Sequence, residues 1–208
     1  MNNVKLSIIY YSMTGINYEM AKWAKEEAEE LGAQVRLVKA QELAPQAVID
    51  ANPAWKGHQE ETKDIKVAST EDLVWADAII FSTPTRFGNI ASQMKQFMDI
   101  QGGAWAKGDL ENKVVSAMSS ANNDNGGQEA TIRALYTTMM HWGAIIVAPG
   151  YTDESCYVSG GNPYGTTVTV QDGEMKENPE MAIKHQTRRT LEYARLIKLG
   201  REKDQESK

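Results

Sequence analysis

Three stretches of the chain gather small residues, hydroxyls and amides directly after apolar runs, and each suits a different chemistry. Ser12-Met13-Thr14-Gly15-Ile16-Asn17 follows the strand-length run Val4 to Tyr11 and precedes apolar residues at helical spacing. Free N–H groups at a helix start, the helix dipole and the donor side chains of Ser12, Thr14 and Asn17 suit a phosphate. Helix capping by serine or threonine accounts for the same residues, and from this loop alone the two readings stand even. The loop does not match G-x-x-x-x-G-K-[ST], and no G-x-G-x-x-G follows the strand, which sets aside ATP and a Rossmann-held dinucleotide. Thr83-Pro84-Thr85-Arg86-Phe87-Gly88-Asn89 places a cation and an aromatic ring beside flexible backbone. Its amides can read the edge of a flat heterocycle and Arg86 can stabilise negative charge there, although a loop arginine is more commonly a solvated surface charge. Ser119 to Gln128 is rich in small polar residues and, taken singly, is only a loop.

The elements that must position these loops follow from periodicity. Apolar residues at Ile16, Met20, Trp23, Ala24, Ala28 and Leu31 predict a helix closed by Gly32, with a second strand over Gln34 to Val38. Residues Lys39 to Thr70, with Pro45, Pro53 and Gly57, show weak helical periodicity at most and read as a long surface excursion. Ala78 to Ser82 is a short buried strand, and Ile90, Met94, Phe97 and Met98 repeat at helical spacing. Val114 to Met118 is the next strand, a helix carries Ile132, Leu135 and Met139, and Ala144 to Val147 is the last strand. A Gly/Pro/Tyr-rich segment from Pro149 to Gly173 follows, then a charged helix over Pro179 to Leu199. We read residues 1–199 as one α/β domain and 200–208 as a polar, mobile tail.

Strands alternating with helices give a parallel sheet covered on both faces, and five such strands suit the order 2-1-3-4-5. Ligands bind outside the carboxyl ends of such strands at the switch point, where strands 1, 3 and 4 deliver the three loops described above. The single cysteine, Cys156, excludes an internal disulfide and a multi-cysteine metal site and fits a reducing, cytoplasmic compartment. No apolar run spans a bilayer, and a net charge of −6 without a dense Lys/Arg run argues against nucleic acid. Any redox role must then come from a bound cofactor.

The first two loops, Gly102-Gly103-Ala104-Trp105, Gly126-Gly127-Gln128-Glu129 and Gly161-Asn162-Pro163-Tyr164-Gly165 occur together in this order. On these motifs the chain resembles the WrbA family of flavodoxin-like NAD(P)H:quinone oxidoreductases from about Lys5 to Leu199. The resemblance implies a doubly wound, flavodoxin-like fold and FMN bound without covalent attachment. It implies that Ser12, Met13, Thr14, Gly15, Ile16 and Asn17 hold the FMN phosphate and ribityl chain. By the same likeness Pro84, Thr85, Arg86, Phe87, Gly88 and Asn89 line the isoalloxazine, and Ala121, Asn122, Asn123, Asp124, Asn125 and Gly126 close over it from a third side.

His141 matches the family histidine beside the flavin, as a cofactor contact and catalytic group with Arg86, and Trp105 and Thr14 match substrate-facing positions. From the residues alone a histidine next to Trp142 is more commonly a packed or capping residue, and Trp105 can simply cover the sheet. Two departures from the family pattern stand out: the Asn/Asp-rich Asn122 to Asn125, where Asp124 is expected to face solvent or accept a ribityl or backbone hydrogen bond, and Thr14 in place of an aromatic residue. The implied activity is two-electron transfer from NADH or NADPH to a small quinone by a homotetramer whose flavin sites are completed by neighbouring subunits. Trp55, Tyr151, Tyr157 and Tyr164 suit such an interface as well as they suit intramolecular packing. A flavodoxin-type electron carrier, a flavin or azo-compound reductase, and a binding or regulatory protein without redox work are the alternatives.

Overall fold

The computed structural model describes residues 3–206. The apolar run at the amino end forms β1 (Lys5–Tyr10), whose side chains alternate between the two faces of a central sheet. Leu6, Ile8 and Tyr10 join Met20, Ala24 and Ala28 of α1 (Ile16–Glu30) and Ile183, Leu191 and Ala194 of α9 (Glu180–Glu206) in one core. Ile9 and Tyr11 join the opposite core, built on Leu73 of α4 (Thr70–Trp75), Met94 and Phe97 of α5 (Ser92–Asp99), and Ile132, Leu135 and Met139 of α7 (Gln128–His141). Both faces of the sheet are thus buried, as a parallel sheet requires.

β1 pairs in parallel with β2 (Gln34–Lys39) on one side and β3 (Ala78–Arg86) on the other, and β3 pairs in parallel with β5 (Val114–Ala121). The expected order therefore holds through four positions. The fifth is filled in two pieces. β6 (Ile145–Ile146) pairs with Val114 and Val115 at the start of β5, and β7 (Thr167–Gln171) pairs with Ser119 to Ala121 at its end. The chain between them leaves the sheet, forms the short α8 (Ser155–Val158), and returns at Gly165, where a Cβ would lie 2.1 Å from the Ala117 carbonyl oxygen. Gln186 of α9 fixes this return: its Oε1 accepts from the Thr166 N–H at 2.7 Å, and its Nε2 donates to the Ala117 carbonyl at 2.9 Å.

Several elements differ from the sequence expectation. The excursion between Lys39 and Thr70 contains two helices, α2 (Gln46–Asp50) and α3 (Pro53–Glu61). Asn52 caps α3, its Oδ1 accepting from the Ala54 and Trp55 N–H groups, and Pro53 occupies the first helical position. Polar side chains around α3 hid its period, not a lack of helix signals. Ile90 lies in the two-residue strand β4 (Asn89–Ile90), which turns back on β3, so α5 starts only at Ser92. α6 (Gly102–Ala106) is a single turn, and β8 (Glu174–Met175) folds back on β7 through Asp172 and Gly173, both at positive φ. α9 continues past Leu199 to Glu206, so the polar tail begins as helix; residues 207–208 lie outside the described residues.

Candidate functional site

The three loops expected to carry the chemistry emerge together at the carboxyl ends of β1, β3 and β5. The first is opened by Gly15, held at φ 108, from which α1 starts with no side chain capping it. Its leading N–H groups therefore stay available to an anion, with the positive end of a 15-residue helix behind them. Ser12 Oγ accepts from the Gly15 N–H at 3.0 Å, which closes the loop and leaves the hydroxyl proton to donate outward. Thr14 is exposed, while Ser12 and Met13 are half-buried.

Asn17 does not face this opening. It is 1% exposed, donates from Nδ2 to Ser82 Oγ at 3.1 Å, and accepts at Oδ1 from Ser120 Oγ at 2.6 Å. The second residue of α1 thus bridges β3 and β5, and its side chain fastens the first loop to the sheet. Of the three donor side chains expected for a phosphate, Ser12 and Thr14 remain at the surface.

The second loop is a two-residue hairpin. β3 continues four residues beyond Ser82, and Phe87 and Gly88, at φ 51 and 77, turn it into β4. Positive φ on a phenylalanine is strained, and here it holds the ring fully in solvent. Arg86 donates from Nη1 to the Thr85 carbonyl at 3.0 Å, and its Nη2 lies 3.4 Å from Met13 Sδ, so it spans the mouth between the first two loops.

The third loop locks onto the second. Ser119 to Ala121 belong to β5, so the loop proper is Asn122 to Gly127. Thr85 Oγ1 donates to the Gly126 carbonyl at 3.3 Å and accepts from Thr131 Oγ1 at 2.9 Å. A Cβ on Gly127 would lie 2.5 Å from Gly88 Cα, and one on Gly126 would lie 2.3 Å from Ala121 Cβ. Two backbones meet where side chains cannot fit. Gly127, at φ 93, also opens α7 with no side-chain cap, so a second free helix start faces the same end of the sheet. Asp124 is turned outward: Thr169 Oγ1 donates to it at 3.0 Å and Lys176 Nζ pairs with it at 3.0 Å, holding its carboxyl below the usual range. Beyond this loop, the Gly160-Gly161-Asn162-Pro163 stretch and Tyr151 close a cavity of about 640 Å³.

His141 and Trp105 are not part of this cluster. α7 starts at the third loop and runs back along the sheet, and the hydrogen bond from the Asn112 N–H to the Gly143 carbonyl sets its end beside the amino end of β5. Fourteen helical residues place His141 about 20 Å from the loop. There Trp105 Nε1 donates to the His141 carbonyl at 3.0 Å, beside a shallow hollow lined by Met98, Asp99, Gly102 and Thr138. Trp105 is 56% exposed.

The structure also shows a supporting residue for which the sequence carried no motif. Glu42 accepts from Tyr11 Oη at 3.1 Å, Trp55 Nε1 at 3.2 Å and Gln93 Nε2 at 2.8 Å, and from the Leu43 and Ala44 N–H groups. It ties Tyr11, the residue after β1, to α3 and α5 beside the first loop, and it uses Trp55 inside the fold. Burial and the Glu42 carboxylate hold the Tyr11 phenol protonated far above neutrality.

The sequence profile of the NADPH-dependent FMN reductase family matches residues 4–154. A protein named NAD(P)H dehydrogenase (quinone) from Deinococcus radiodurans is 53% identical to this chain, covering 93% of it and 98% of the relative. The chain belongs to the NAD(P)H dehydrogenase (quinone) family. A second member of this quinone dehydrogenase family, from Aromatoleum aromaticum, is 40% identical over 95% of this chain and 99% of its own length. Among solved structures, a WrbA-like flavodoxin from Agrobacterium tumefaciens superposes with a TM-score of 0.65 at 22% identity, covering 93% of this chain and 99% of that one. The flavodoxin-like fold is common to both.

For a quinone dehydrogenase of this fold, the donor set fits FMN. The uncapped start of α1 with Ser12 and Thr14 suits a phosphate monoester, and the Thr85 to Gly88 hairpin and third loop offer backbone and Arg86 beside it. The one carboxylate in these loops, Asp124, is neutralised by Lys176. No helix among the described residues is long and apolar enough to cross a membrane.

Proposed function

We propose that the protein is an FMN-dependent NAD(P)H:quinone oxidoreductase whose cofactor is held by the three loops of one chain. The observation that carries the reading is the joining of those loops by Asn17, by Thr85 and by the Gly88–Gly127 contact, in a chain 53% identical to a named quinone dehydrogenase. Bound FMN supplies two-electron chemistry, taking a hydride from NADH or NADPH and reducing a quinone to a hydroquinone.

In this reading Ser12, Thr14 and the leading N–H groups of α1 bind the phosphate, and Asn17 positions them. Met13, Gly15 and Ile16 supply backbone around the ribityl chain. Pro84 to Asn89 line one edge of the ring system, with Arg86 stabilising negative charge on it, and Ala121 to Gly126 shape another edge. Phe87 and Thr14 flank the entrance, where one flat substrate at a time is placed over the ring.

His141 and Trp105 serve the flavin of a neighbouring copy. Their distance from their own loops supports this, as does the apolar surface around them: Met140 is 64% exposed, Ile100 65%, and the outer face of α7 presents Ala134 and Thr137 beside Tyr164. His141 orients the quinone oxygen or delivers a proton to it. The assembly is a homotetramer and its place is the cytoplasm, the latter on the acidic composition and single cysteine.

The test is spectroscopic. Anaerobic protein loaded with FMN should bleach on addition of NADH and regain its visible absorbance with benzoquinone. Flavin that binds but resists NADH would transfer the assignment to an electron carrier, and flavin that does not bind would refute the reading.

A further inference from the structure

Behind the first loop lies a titratable group that the chemistry above does not use. His58 of α3 is 6% exposed, and a Cβ on Gly15 would sit 3.7 Å from its Nδ1. The ring lies 5.5 Å from that of Tyr18, which is 5.2 Å from that of Tyr10. A hollow of about 250 Å³ runs from His58 and Lys39 past Tyr10 and Tyr11 to Ser12. The buried Tyr10 hydroxyl lies on its wall.

The groups around the imidazole pull in opposite directions. Burial, the largest influence, lowers its pKa, and Lys39 from β2 and Lys22 from α1 add to that; Glu61 on its own helix, 3.3 Å from Nδ1, favours the cation. The Tyr18 ring faces it, with Tyr10 behind, whose phenol burial keeps protonated. Both lysines are engaged elsewhere, Lys39 with the Thr62 carbonyl at 2.5 Å and Lys22 with Glu19 at 2.5 Å. Residues 12–17 contain no lysine or arginine. A phosphate monoester on this loop brings a charge of about −1.5 to −2 to the far side of Gly15 from the ring.

We propose that His58 is a positioning residue of the cofactor site that takes up a proton from solvent when the FMN phosphate enters the first loop. The inference rests on the reading of that loop as the phosphate site. The anion supplies the attraction that burial withholds from the imidazolium, and the protonated ring, braced by Glu61, holds Gly15 and the start of α1 against the phosphate.

The chain has three histidines, so the ring signals of His58 can be followed by NMR titration of the wild-type protein. Saturating FMN should raise the His58 pKa by about one unit, and riboflavin, which has the ring system without the phosphate, should leave it unchanged. Calorimetry at pH 7 in two buffers of different ionisation enthalpy should show proton uptake that is absent from His58→Gln. The variant should bind FMN about threefold more weakly than wild type at pH 6, with the ratio rising toward about tenfold as pH falls further, and nearly as well at pH 8. If His58→Gln does not fold, the wild-type titration decides. A His58 pKa indifferent to bound FMN, or equal proton uptake in wild type and variant, overturns the proposal while leaving the cofactor assignment standing. FMN that does not bind wild type at all overturns both.

Discussion

The two ends of α7 are held in different ways. At its amino end, Gly127 abuts Gly88, Thr131 reaches Thr85, and the neighbouring loops are fastened through Asn17 to Ser82 and Ser120. At its carboxyl end, His141 and Met140 lie in solvent, and Trp105 donates to the His141 carbonyl. One end is completed by contacts within the chain and the other is left open. The cofactor cradle of the proposed function thus lies within one chain, and the same proposal has the open end meet the acceptor at a second copy.

The sharpest way to break the closed end is Gly127→Ala. A Cβ would lie 2.5 Å from Gly88 Cα on a residue at φ 93, so the second and third loops must part. We expect a loss of about 3 kcal/mol in denaturant unfolding and FMN binding weakened at least a hundredfold. Asn17→Ala is next. It leaves the buried Ser82 and Ser120 hydroxyls short of partners, and unfolding should show a loss of about 2–3 kcal/mol with FMN binding weakened about tenfold.

The open end should respond in the opposite pattern. His141→Ala should leave stability and the bound-flavin spectrum unchanged but lower quinone turnover about a hundredfold in steady-state kinetics. Equal turnover in variant and wild type would remove His141 from the chemistry.

Acid offers a milder probe of the support behind the cradle. Burial lowers the pKa of both His58 and His185, so below about pH 6.5 the unfolded chain binds more protons than the folded one. Stability then rises with pH through that window and is lost as pH falls. The melting temperature of flavin-free protein should drop between pH 7.5 and 5.5, and His58→Gln should flatten the drop. The smallest effect belongs to Asp124→Asn: its outward pairing with Lys176 is exposed, so the FMN dissociation constant should change less than about threefold.

Much of the closed end was legible in the sequence. The β-branched runs marked the strands, and the alternation of strand and helix gave the order that brings three loops together. Asn17 carried the right residue type for a phosphate donor, and only its place in the first turn, facing β3 and β5, assigns it to the fold. The split fifth position escaped notice because β6 is two residues long and its continuation, β7, comes after a segment whose Gly and Pro content reads as loop. Glu42 and His58 belong to no motif; their roles arise from contacts between β1, α3 and α5 that sequence spacing does not report. For His141 the resemblance gave a place beside the flavin. Its position at the end of a 14-residue helix that starts at the third loop sets it about 20 Å from its own loops, which is the ground on which we propose that it serves another chain.

Subunit complementation tests this division most directly. One variant, Gly127→Ala, has a broken cradle and an intact His141 end; the other, carrying His141→Ala and Trp105→Ala, has the reverse. Each alone should turn over quinone poorly. Co-expressed in equal amounts, they should regain about a quarter of wild-type activity, the share of sites at which an intact cradle meets an intact partner end. Activity of the mixed assembly no higher than the mean of the two variants would contradict a site built from two copies.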